Sequence, residues 1–301
     1  MNNQCSICSS DQICAESTCQ DYEYDYPGNF KFYKCSKCGL FELQPQLSTE
    51  QLLKAYPDEY HGYNYEGVES KIFNFLQNLR LKKRIKFYKT LIGKEAKILD
   101  IGCGDGHYMD HLKQKTGWQI TGIEFKKEIA AIGQEKGREI LTGTFENLDF
   151  PDTHFDLIIM NHLIEHVPDP VALLAKARRK LKPGGYIIGE LPNVDSWDYY
   201  CFGKHWGGLH VPRHLFNFTP IALRKTTIKA GFDNCKVSHD LNTSHWALSL
   251  QNLLQSTKTF KTKLRFGRTK YYNLLLIAFI PINILAKVFK KSGIINFIIK
   301  K

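Results

Sequence analysis

The sequence predicts an α/β protein: a mostly parallel, doubly wound sheet preceded by a small cysteine-rich module. Three observations carry that expectation. Between residues 68 and 240, short apolar runs alternate with segments of helical spacing. One of those runs, "ILDIGCGDGHY" at 98–108, ends in a cluster of glycines. Six of the nine cysteines lie between Cys5 and Cys38.

At the N-terminal end, "CSIC" supplies Cys5 and Cys8, and "CSKCGL" supplies Cys35 and Cys38. Two C-x-x-C pairs offer four thiolates to one ion, the donor set of a closed, tetrahedral, structural zinc site. The gap between the pairs leaves room for a β-hairpin, and Cys14 and Cys19 lie within it. A redox role for one pair is the alternative, and duplication favours metal. "MNNQCSICSS" has no apolar leader, so the expectation is a reducing cytoplasm and a metal, not disulfides.

Residues 1–40 thus read as a zinc-ribbon-like module and 41–67, rich in Tyr, Pro and Gly, as a connector. "VESKIFNFLQNLRLKKRIKFYKTLIG" has the apolar spacing of a helix with a basic outer face. "KILDIG", "WQITGIE", "FDLIIM" and "GYIIGEL" read as buried strands, with "KKEIAAIGQEKG" and "PVALLAKARRKLKPGG" as helices between them. "INFIIKK" reads as a last strand that closes the sheet antiparallel. Residues 68–301 are then one domain, in which 241–291 is a helical insertion before that strand.

The net charge of +11 is local. Residues 241–301 hold eleven Lys and Arg and no Asp or Glu, and the rest of the chain balances to zero. Such a block points to a local anionic partner and not to a nucleic-acid-coating surface. "YYNLLLIAFIPINILAKVFKK" is interrupted by Asn273, Pro281 and Asn283 and is too short to span a bilayer. Residues 257–291 suit a contact with an anionic membrane surface, at the inner face of the membrane, or a cover over a lipid-linked acceptor. The alternative is a pair of core helices.

The glycines are Gly102, Gly104 and Gly106. A dinucleotide fingerprint needs glycine at 107, where the chain has His107. Asp100 precedes the loop, and Glu124 ends the next strand, where an acid can accept both ribose hydroxyls of a nucleoside. "LDIGCGDG", "ITGIE", "GTFENLDFPDTHFDLIIMNHLIEHVPDP" and "LLAKARRKLKPGGYIIGELPN", in that order over residues 90–235, resemble class I S-adenosylmethionine-dependent methyltransferases. The resemblance implies a Rossmann-like sheet and an enzyme with S-adenosylmethionine as donor. It implies that Asp100 and the three glycines approach the methionine part and that Glu124 holds the ribose. Thr144, Phe145 and Glu146 would lie beside adenine, with Thr144 standing where the family often has Asp. Asn161 and His162 would face cofactor and substrate. The tyrosines of "AYPDEYHGYNYEG", namely Tyr56, Tyr60 and Tyr63, are candidates for a lid over the cofactor.

Histidines cluster twice. His162 and His166 are four apart and would share a face of a helical turn beside Glu165, a pair that suggests a metal but lacks a third ligand. The second cluster, "FGKHWGGLHVPRHLFNFT", mixes apolar walls with a few directed polar groups, the makeup of a small-molecule site. Its "RHLFNFT" resembles a segment of deoxysugar C-methyltransferases in which the histidine is the base. That makes His214 the candidate base and His210 the second. Arg213 replaces the family's glutamate and suggests an anionic acceptor. The acceptor expected is a small or lipid-linked molecule, of sugar or quinone-precursor type, methylated on O or C. Two other readings are an rRNA or tRNA methyltransferase using the ribbon for RNA contact, and a non-catalytic donor-binding protein. Residues 1–40 are more acidic than basic, and "NHLIEH" replaces the Asn/Asp-Pro-Pro-Tyr of base-amino methyltransferases. Both features argue against nucleic acid.

Overall fold

The computed structural model describes residues 4–57, 71–257, 264 and 267–301, with backbone alone for 49 and 71–78. The chain begins with three strands, β1 (Ile13–Cys19), β2 (Phe30–Cys35) and β3 (Phe41–Gln44), and two helices, α1 (Thr49–Lys54) and α2 (Lys71–Leu91). An alternating run follows: β4 (Lys97–Ile101), α3 (His107–Thr116), β5 (Gln119–Glu124), α4 (Lys127–Glu135), β6 (Ile140–Thr142), β7 (Phe155–Asn161), α5 (Pro170–Lys180) and β8 (Leu181–Pro192). The last part holds α6 (Trp197–Phe202), β9 (Phe216–Asn217), α7 (Pro220–Lys229), β10 (Cys235–His239), α8 (Ser244–Ser256), α9 (Tyr272–Ala278), α10 (Ile280–Val288) and β11 (Ile294–Lys300).

Seven strands form one sheet in the order β10-β11-β8-β7-β4-β5-β6, mostly parallel with antiparallel end strands. The expected helices α8, α9 and α10 stand between β10 and β11. One boundary differs from the sequence reading, which extends a helix through "LKPGG": β8 already starts at Leu181. Gly184 takes a φ of 76°, and a Cβ on Gly185 would lie 3.1 Å from the Asp156 carbonyl, so the glycines let the strand bend in against its neighbour.

The chain divides into two compact units. One comprises 61–161, 173–189 and 298–301. Its core gathers apolar residues of the parallel strands (Ile98, Ile120, Leu157, Ile159) with Leu81 and Ile85 of α2 and Leu112 of α3. Parallel register sets Asp100 opposite Gly122 and Ile101 opposite Ile123, so the carboxyl ends of β4 and β5 finish side by side. This is where ligands sit on such sheets.

The other unit comprises 1–60, 162–172 and 190–297. It contains an antiparallel sheet of order β1-β2-β3-β9, so the N-terminal module is larger than the 1–40 expected and takes in Phe41–Gln44 and Phe216–Asn217. Asn193 in this unit donates to the carbonyls of Asp195 and Ser292, both at 2.9 Å, tying the segment after β8 to the one before β11.

Leu157 is wholly buried in the middle of β7. Leu157→Ala should cost about 3 kcal/mol, read as a lower urea midpoint with an unchanged denaturant slope.

Candidate active site

After β4 the chain turns through Gly102, Gly104 and Gly106 at φ 77°, 58° and 80°. Three left-handed positions so close together are a conformation that side-chain-bearing residues resist. The Gly102 and Cys103 amides both donate to the Ile123 carbonyl, at 2.8 and 3.0 Å, and fold the loop onto β5. A Cβ on Gly106 would come within 2.9 Å of Arg138 and Ile140 side-chain carbons, which is the tight helix approach that a third glycine serves.

Glu124, at the end of β5, accepts from the Gly104 amide through Oε2 and from the Lys126 amide through Oε1, each at 3.0 Å. Each carboxylate oxygen keeps acceptor capacity after one bond. Glu124 and Asp100 are both buried. Burial, and then the charge of Glu124, push Asp100 up to about 7; burial also raises Glu124. Two buried acids beneath one loop favour a positively charged ligand. Beyond β6, Thr144 opens a turn that accepts from the Asn147 and Leu148 amides at 3.1 Å. The Phe145 ring is buried 6.2 Å from that of Phe150 and beneath the Lys176 ammonium. Asn161, half-buried, ends β7.

In the other unit, the residues of "HVPRHLF" take distinct roles. Arg213 is fully buried. Its Nη2 donates to Asp21 at 2.9 Å, its Nη1 to the Ala55 carbonyl at 2.7 Å and its Nε to His210 Nε2 at 3.1 Å, while Tyr24 stacks 4.7 Å from the guanidinium. All three nitrogens are engaged internally, so Arg213 does not orient an anionic acceptor; it is a structural cation. His210 is corrected for the same reason. Its Nε2 accepts from Arg213 and its Nδ1 meets Glu23 at 3.1 Å, which leaves no nitrogen for a proton from substrate. Burial, with Arg213 next, holds it neutral.

His214 differs. Its Nδ1 donates to the Gly208 carbonyl at 2.8 Å, which places the lone pair on Nε2, and burial keeps the ring neutral. His166 crosses it with ring centroids 4.6 Å apart. Tyr56, expected over the cofactor, is buried and bonded to His166 Nδ1 at 2.7 Å; Tyr60 and Tyr63 lie outside the described residues. His162 sits at φ 49°, half-exposed, with Nδ1 3.5 Å from Glu165 and Nε2 3.4 Å from Glu190. Burial opposes its charge, but the two carboxylates outweigh it and lift His162 to about 10. The helical turn expected to align His162 with His166 is only a short 3-10 turn at Ile164–His166, and the two rings take different partners. Sequence reasoning missed Asp21, Glu23 and Glu190 as the acids that hold these side chains.

At the N-terminal end, Cys5 and Cys38 sulfurs lie 3.7 Å apart and those of Cys8 and Cys35 3.5 Å apart, all four within 4.8 Å of one another. A tetrahedron of thiolates with zinc–sulfur bonds of about 2.3 Å has edges of about 3.8 Å. The four cysteines fit that ion. Thr219 Oγ1 donates to the Cys38 carbonyl at 2.7 Å and anchors the knuckle to the start of α7.

A glycine turn at the carboxyl ends of parallel strands, with an acid closing the next strand, defines a nucleoside-binding α/β protein. The methyltransferase-domain family matches residues 72–237, more than half of the chain, and the protein belongs to that family: it is an S-adenosylmethionine-dependent methyltransferase. The chain is 33% identical over 166 residues to a ubiquinone biosynthesis O-methyltransferase of Hydrogenovibrio crunogenus, covering 51% of this chain and 68% of the relative. It is 32% identical over 135 residues to a demethylmenaquinone methyltransferase of Bacillus velezensis, covering 42% of this chain and 57% of that relative. Among solved structures, the YcgJ protein of Bacillus subtilis superposes with a TM-score of 0.51 at 19% identity, over 74% of this chain and 98% of its own, a likeness of fold.

Because Asp100 has a raised folded-state pKa, the folded protein holds a proton there that the unfolded chain releases near 4. The stability this confers is present in full below pH 4 and is lost as pH rises through about 7. Asp100→Asn should therefore melt higher than the parent at pH 8, by a difference that shrinks steadily toward pH 5 in ligand-free thermal denaturation.

Proposed function

We propose that the protein methylates an O or C atom of a small or lipid-linked acceptor of sugar or quinone-precursor type, with His214 taking the acceptor's proton. The observation that supports this most is the state of His214: a buried, neutral ring oriented by the Gly208 carbonyl, with its free lone pair on Nε2. S-adenosylmethionine, when bound, supplies an activated methyl on a sulfonium. Gly102, Gly104 and Gly106 let the backbone approach the methionine part, Asp100 and Glu124 favour its positive charge, and Glu124 keeps lone pairs for the ribose. Thr144 and Glu146 border the base, and Asn161 and His162 face cofactor and substrate. Zinc on Cys5, Cys8, Cys35 and Cys38 is structural in this reading, fixing the two knuckles. The names of the two curated relatives support a quinone-type acceptor.

Purified protein given S-adenosylmethionine labelled in the methyl group should label either polyprenylated hydroxybenzenoids in vesicles or nucleotide-linked sugars. His214→Ala should lower kcat by at least about a hundredfold while donor affinity stays the same. Label in neither acceptor class, or a near-normal rate in the variant, rejects the reading.

The same reading places residues 257–291 against an anionic membrane surface. Leu274, Ile277, Leu285, Val288 and Phe289 of the α9–α10 segment are 53–69% exposed, and Lys287 and Lys290 are exposed beside them. No helix among the described residues is long and apolar enough to cross a membrane. Interfacial seating of an apolar face with lysines at one end is the arrangement this supports; residues 258–263, 265 and 266 of the segment lie outside the described residues. Val288→Glu should reduce co-sedimentation with phosphatidylglycerol vesicles severalfold, and intact protein that ignores such vesicles at low salt rejects the membrane contact.

A further inference from the structure

We propose that Glu165, His166 and His214 form a second metal site, which takes one first-row divalent ion through a carboxylate oxygen and one nitrogen of each imidazole. One ligand atom from each residue lies within 4.8 Å of the others. An ion with bonds of about 2.0–2.2 Å draws such groups in by small side-chain rotations. The pair His162 and His166, adjacent in sequence, is not the pair that converges. His214 comes from the far side of α5, β8 and α6 in the chain.

Two further features make this more than proximity. Glu165 is 1% exposed, yet neither of its carboxylate oxygens has a hydrogen-bond partner. His162 Nδ1 approaches to 3.5 Å without making one. A buried carboxylate left in that state is costly, and a cation resolves the cost directly. The second feature is that both rings are held through Nδ1. His214 Nδ1 lies 2.8 Å from the Gly208 carbonyl, and His166 Nδ1 lies 3.0 Å from the Arg213 carbonyl. A carbonyl only accepts, so His214 carries hydrogen on Nδ1 and its lone pair on Nε2; His166 Nδ1 lies between the Arg213 carbonyl and the Tyr56 hydroxyl at 2.7 Å, and neither ring spends Nε2 on these contacts. Metal-binding histidines are held in this way, with the other nitrogen donating to a backbone carbonyl.

Two imidazoles and one carboxylate suit zinc, cobalt, manganese or ferrous iron better than a thiolate-seeking or an all-oxygen ion. Three protein ligands leave coordination positions open, so the ion could take water or an acceptor oxygen there and lower the pKa of a bound hydroxyl. The site stands whether or not His214 is the base. The same nitrogen cannot hold an ion and receive a proton, so the two uses of His214 exclude each other at any instant.

The test is cobalt titration of the full chain already loaded with one equivalent of zinc. One further equivalent should bind, with visible d–d bands and without the near-ultraviolet thiolate-to-cobalt band that exchange at the four cysteines would give. Glu165→Gln and His214→Asn should each weaken that equivalent at least about tenfold while zinc content and circular dichroism hold. His239→Asn, whose ring bonds Ser292, should leave it unchanged. Should a variant fail to fold, histidine NMR of the unmodified chain decides the matter: cobalt should broaden the imidazole signals of His166 and His214 first. Absence of a second equivalent at about 1 mM cobalt overturns the site. So does broadening centred on His107 and His111, the pair whose Nε2 atoms lie 3.0 Å apart on α3.

Discussion

One unit of the protein depends on the burial of a single guanidinium. A charge taken fully out of water must be met on every side, and Arg213 is met by Asp21, the Ala55 carbonyl, the His210 ring and the face of Tyr24. Those partners come from the hairpin between β1 and β2, the end of α1 and the turn before β9. The backbone of the same residue continues the arrangement, since the Arg213 carbonyl receives His166 Nδ1. Asp21 is braced in turn: its Oδ1 accepts from the amides of Glu23 and Tyr24, at 3.0 and 3.1 Å. Burial raises Asp21 while Arg213 pulls it down, and the pair is stable only as a pair. The orientation of His166 therefore rests in part on the backbone of this buried cation.

The sheet was legible because its signals are local. The runs of β4, β5 and β7 are short and mostly apolar, and three glycines at alternate positions have few uses other than a left-handed turn. The cysteine quartet was equally readable, since the two C-x-x-C spacings already point to four sulfurs gathered together. The roles of Arg213 and His210 were not readable, because their partners lie 192 and 187 residues away. Residue type says that an arginine pairs with an anion; it does not say whether that anion is substrate or Asp21. Phe145 shows the same limit in an apolar residue, where the sequence marks the turn but not which way the ring points.

Protonation divides the histidines by neighbours more than by burial. His210 and His214 are wrapped in protein and lie among other imidazoles, and both effects keep them neutral. His162 stands between two carboxylates and holds its proton. The residues 162–166 thus place a cationic ring, a buried acid and a neutral ring within one short turn, with charge separated over a few ångströms. Such a turn persists only if the acid is compensated. His162 supplies compensation from one side, in contact but not hydrogen-bonded, and His166 and His214 stand close on the carboxylate as well.

The C-terminal helices pack on one side and leave apolar side chains exposed on the other. Ala247, Leu248 and Tyr272 are buried against one another where α8 meets α9, so one side of the segment is core. Leu274, Ile277, Val288 and Phe289 remain open to solvent on a stretch with no acidic side chain. If the segment served only to complete the fold, its outer positions would be free to be polar, and apolar exposure there would be a liability. Under the proposed membrane contact, the exposed apolar side chains and the lysines beside them would each favour the same anionic surface. The two attractions add only at an interface that offers both hydrocarbon and negative charge.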